Sequence, residues 1–99
     1  MTIEVALAPQ QAEAAVYQAF LAAGLLDVVG GGGVMYGKVA AGMSSWGEKV
    51  RATIGFGSNG SLVTLYSECL LPTQLFDMGK NRKNLERIVE VLRPLAPVV

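Results

Sequence analysis

Two runs of alternating apolar and polar residues flank Gly57-Ser58-Asn59-Gly60, and this arrangement constrains the fold more than any other feature of the chain. From Glu48 to Phe56, the residues Val50, Ala52, Ile54 and Phe56 fall on one side and Lys49, Arg51 and Thr53 on the other. That is the period of a strand with one buried face. The glycine-bounded tetrapeptide is a hairpin signal. Ser61 to Cys69 is then the returning strand, with Thr64, Tyr66 and Glu68 sharing the outward side.

The remaining segments supply the rest of a two-layer domain. Thr2 to Leu7 alternates, with Ile3, Val5 and Leu7 on one side, and reads as a strand. Pro9 suits the first turn of a helix. Ala12, Ala15, Val16, Ala19, Phe20 and Ala23 then recur at helical spacing until Gly24 stops it. Leu25 to Val29 is a short strand candidate with Gly30 to Gly33 as its turn. Val34 to Ala40 is the next strand, with Val34, Tyr36 and Lys38 on one face. Near the end, Asn81 is a suitable N-cap, and Leu85, Ile88, Val89 and Leu92 form the stripe of a second helix that fails near Pro94. The order β-α-β-β-β-β-α favours an α+β fold in which two helices pack on one face of an antiparallel sheet. With 99 residues and no linker beyond the glycine run, residues 1–99 are expected to form a single domain.

Composition narrows the chemistry. The chain has no His, so His-based triads, dyads and most zinc sites are excluded. Its single Cys cannot form an intramolecular disulfide, a four-cysteine zinc site or an iron-sulfur cluster. No metal or cofactor is expected. With no His to activate it, Cys69 reads as an inert thiol. Eight basic residues balance eight acidic ones, so no overall field draws in nucleic acid or an anionic membrane. Charged residues make up 16% of the chain against a typical 25% or so, while 52% are apolar. An apolar surplus in a small domain suits a subunit interface. No signal-peptide pattern or membrane span is visible, and the expected location is the cytoplasm.

Three features invite a functional reading. Gly32, Gly37 and Lys38 match the spacing of a phosphate-binding loop, but Val39 stands where Ser or Thr is required and strand-like residues follow in place of a helix. A hairpin loop is the better reading. Trp46, the only Trp, precedes a strand and suits a core or interface anchor. Five of the eight basic residues lie in the last twenty positions, and Lys80, Arg82 and Lys83 crowd the start of the second helix. Cations there oppose the helix dipole at roughly 0.3 to 1 kcal/mol each. Asp77 and Glu86 offer internal compensation, and a bound anion would offer it from outside. The candidate binding residues are therefore Trp46, Lys49, Arg51 and Tyr66 around the open sheet face, and Asp77, Lys80, Asn81, Arg82 and Lys83 at the helix start.

Ser45-Trp46-Gly47-Glu48-Lys49, together with the stretch from Leu71 to Asn84 that contains Phe76-Asp77-Met78-Gly79-Lys80-Asn81-Arg82-Lys83-Asn84, resembles a family of small bacterial proteins with a similar Trp-Gly-Glu element and a similar turn into the last helix. The element order also looks like the helix-grip half-unit of TATA-box-binding-like folds. The resemblance implies a fold and no particular activity, and the neutral charge argues against nucleic acid. The expectation is a non-enzymatic domain that homodimerises or binds a protein partner through its open sheet face. The alternative is an anionic small molecule, or a nucleic-acid backbone, held at the basic helix start. An enzyme using Asp77 with Lys80 or Tyr66 is the remaining class.

Overall fold

A computed structural model describes residues 1–39, 48–69 and 78–96. Its elements are β1 (Thr2–Val5), α1 (Pro9–Ala22), β2 (Leu26–Gly31), β3 (Val34–Val39), β4 (Glu48–Phe56), β5 (Ser61–Cys69) and α2 (Met78–Leu92). The strands form one sheet in the order β1-β5-β4-β3-β2, with every neighbouring pair antiparallel. The fold is thus α+β, with both helices on one face.

The sheet is built around the β4–β5 hairpin. Phe56 pairs with Ser61 across the loop of residues 57–60, and the Gly57 N–H donates to the Gly60 carbonyl at 3.0 Å. This closure sets the register of the whole pair, including Arg51 opposite Tyr66. The loop is held from the side by Glu4, whose Oε2 accepts the Asn59 N–H at 2.7 Å and the Ser58 hydroxyl at 3.4 Å. Ser61 is fully buried and donates its hydroxyl to the Leu7 carbonyl at 2.7 Å, so its polar atom is satisfied.

Alternation decides which side chains enter the core. Val50, Ala52, Val63 and Leu65 project from the central strands toward the helices. There they meet Ala12, Val16, Ala19 and Phe20 of α1 and Leu85, Ile88 and Leu92 of α2. Two of the four buried α1 residues are alanine, and side chains that short let a helix backbone approach its neighbour.

Three expectations are corrected. Gly30 and Gly31 belong to β2 rather than to its turn: they pair with Met35 and Val34, leaving a loop of Gly32 and Gly33 alone. Their φ values of 64° and 85° are those of a type I′ turn, whose twist matches the flanking strands. Asn81 is not an N-cap, because α2 already begins at Met78, and Asn81 stands inside its first turns. Phe56 shares the parity of Val50 and Ala52 but is 86% exposed, since it lies at the hairpin end of β4, beyond the reach of the helices. Parity names a face; only a covering element buries it.

Candidate open-face binding site

The sheet face opposite the helices has no described element over it. Three cations sit side by side there. Lys38 pairs directly with Lys49 across β3 and β4, and Tyr36 pairs with Arg51 one step along. Like charges directly opposite in a sheet are unfavourable. Lys38 is moderated by Asp27, at 3.9 Å from its Nζ, although both side chains are largely exposed, and such pairs contribute little. Asp27 itself holds φ at 52°, within the irregularity that interrupts the β2–β3 ladder between Leu26 and Val29. This bulge turns the carboxylate toward Lys38 and blunts the edge strand.

Two aromatic rings complete the face. The Lys49 ammonium lies 5.2 Å from the centroid of Tyr36, and the Arg51 guanidinium lies 5.2 Å from that of Tyr66. Both distances suit cation–π contact. The register runs Val29, Tyr36, Arg51, Tyr66 across four strands, so apolar, aromatic and cationic side chains form one continuous row. Val29 is 60% exposed and Tyr66 50%, with Leu26 and Leu62 also exposed. An open depression of about 380 Å³ lies at the β2 end of the row, lined by Asp27, Val29, Tyr36, Gly37, Lys38 and Lys49.

The structure therefore brings Lys49, Arg51 and Tyr66 together. Of the other candidates, Trp46 and Asp77 lie outside the described residues, and Lys80, Asn81 and Arg82 are described only as positions in α2. Lys83 is exposed on that helix. The sequence reading passed over Tyr36, Lys38, Asp27 and Val29 as site residues. Tyr36 and Lys38 share the outward parity, which was a usable signal; the Asp27 bulge had none. Gly37 and Lys38 lie within β3, so the phosphate-loop spacing falls on a strand.

Glu48 was also passed over. It is 1% exposed and lies on the helix side with Val50 and Ala52, where the Ser67 hydroxyl donates to its Oε2 at 3.5 Å. Its carboxylate thus faces away from Lys49 and Arg51. A second concavity, of about 370 Å³ between α1 and the β2–β3 edge, is lined by Glu13 and Tyr17 among others, with no cation among the described residues that line it. Among the described residues no group of three or more metal-ligating side chains gathers, and no helix is long and apolar enough to cross a membrane. No family model, curated protein or solved structure matches the chain.

Proposed function

We propose that this chain is a non-enzymatic binding domain whose open sheet face is its docking surface for a protein partner. The observation that carries the reading is the row of exposed ring–cation pairs, Tyr36 with Lys49 and Tyr66 with Arg51, flanked by exposed Leu26, Val29 and Leu62. Tyr and Arg are the residue types enriched at interface hot spots, because each covers a large area and also offers a polar group. Apolar side chains grouped on a surface mark interaction sites where scattered ones do not. The absence of His and the single Cys support a binding role over a catalytic one.

Gel filtration of extract from the native cells tests this reading. The unaltered chain is expected in an assembly well above its own 10.4 kDa, and the double variant Tyr36→Ala/Tyr66→Ala is expected at the monomer position. Both rings are exposed, so the double variant is expected to keep its unfolding free energy within about 1 kcal/mol of the unaltered chain's. An unchanged elution for the double variant, or the same collapse with Tyr17→Ala on the flank of α1, away from the open face, contradicts it.

A further inference from the structure

We infer that the occupant of the open face is an acidic segment of a different protein chain, with carboxylates on Lys49 and Arg51 and apolar side chains on Val29 and Tyr66. The inference rests on the docking role above and assigns the partner's chemistry. The eight basic residues divide into two groups: five lie in the last twenty positions, and the other three, Lys38, Lys49 and Arg51, all stand on this face. Among these, Lys38 and Lys49 are direct cross-strand neighbours, an arrangement that opposes folding and is relieved by an anion placed above it. Asp27 at one corner and Glu68, opposite Lys49 in the register, are the acidic residues beside the cluster.

This charge pattern selects among occupants. A second copy docked through the same face with its two-fold axis at the cluster brings the three cations against their own equivalents, which is the like-charge juxtaposition that excludes wrong partners. A nucleic-acid strand needs free ring faces for stacking. Here a cation already lies over each ring, and the chain's net charge of zero gives a polyanion no long-range attraction. A carboxylate suits the site better, since Arg51 can donate two parallel N–H bonds to it while remaining over Tyr66. The apolar side chains of the row then meet their counterparts in the same segment.

Fluorescence anisotropy at low ionic strength tests the assignment. The probes are a labelled peptide of alternating glutamate and valine, the same peptide with glutamine in place of glutamate, and oligothymidylate. The glutamate peptide is expected to bind, and the glutamine peptide to bind about tenfold or more weakly. Arg51→Glu and Lys49→Glu are each expected to weaken the glutamate peptide by a similar factor. Arg93→Glu, which changes net charge equally from an exposed position after α2, is expected to leave binding unchanged. Equal binding of the two peptides, or no binding of either, overturns the acidic-segment assignment. So does tighter binding of oligothymidylate, or sedimentation of the unaltered chain as a dimer that Arg51→Glu dissociates. The docking role survives these results if Tyr36→Ala/Tyr66→Ala still collapses the native assembly, and falls if it does not.

Discussion

Replacing Phe20 with Ala is expected to lower stability by about 4 kcal/mol, and among the described residues Phe20 is the largest side chain that is fully buried. It lies near the end of α1. Its ring packs over Gly37 of β3 so closely that a Cβ at that glycine would stand 3.1 Å from Phe20 Cδ2 and 2.7 Å from Leu25 Cδ2. The ring therefore rests on sheet backbone. Backbone held by ladders on both sides cannot move inward to fill the space left by alanine, so most of the cavity persists. Native stabilities are about 5 to 15 kcal/mol, and a domain of this size has little in reserve. Denaturant unfolding of Phe20→Ala beside Leu21→Ala checks the point. Leu21 is the next residue and 46% exposed, and its loss is expected to cost less than about 1 kcal/mol.

Gly60→Ala is expected to cost about 3 kcal/mol, for the opposite reason. A Cβ there would collide with the Val5 carbonyl oxygen and would stand 3.0 Å from the Leu7 nitrogen and 3.1 Å from the Ala6 Cα. Every one of these atoms is backbone. Relief requires the connection between β1 and α1 to part from the hairpin loop, and the Ser61 to Leu7 hydrogen bond lies in the same place. Gly55, five residues earlier, has no atom within 4 Å of where a Cβ would stand. Gly55→Ala is accordingly expected to shift stability by less than about 0.5 kcal/mol. Thermal melts of the two variants that agree with each other would contradict this account of the hairpin's seat on β1.

The parts of the fold that were legible in the sequence are those in which local chemistry and tertiary environment agree. Val50, Ala52, Val63 and Leu65 alternate because one side of the sheet is covered, and the turn of residues 57–60 joins the strands that carry them. The helical stripes of Phe20 and Leu92 were legible for the same reason. Agreement fails where pairing overrides propensity. Gly30 and Gly31 have no preference for a strand, yet Met35 and Val34 hold them in one through ladder hydrogen bonds. It fails again at Phe56, because alternation does not reveal where a helix stops covering a strand.

The site was half legible. Outward parity identified Lys49, Arg51 and Tyr66, and it also contained Tyr36 and Lys38. What made these residues a site is register: Arg51 meets Tyr66, and Lys49 reaches Tyr36, only when β3, β4 and β5 pair in the observed alignment. One residue of slip would separate every ring from its cation and turn the set toward the helices. The Lys38–Lys49 pair is the same kind of information, visible as two lysines in the sequence and as an opposed pair only across the ladder.

Site-specific photo-crosslinking in the native cells tests the docking claim most directly, with p-benzoylphenylalanine placed at position 66 on the open face or at position 17 on the flank of α1. The account predicts a protein adduct from position 66, about tenfold weaker or absent when Arg51→Glu is added, and only background from position 17. Adducts of equal yield from both positions, or from position 17 alone, would contradict it.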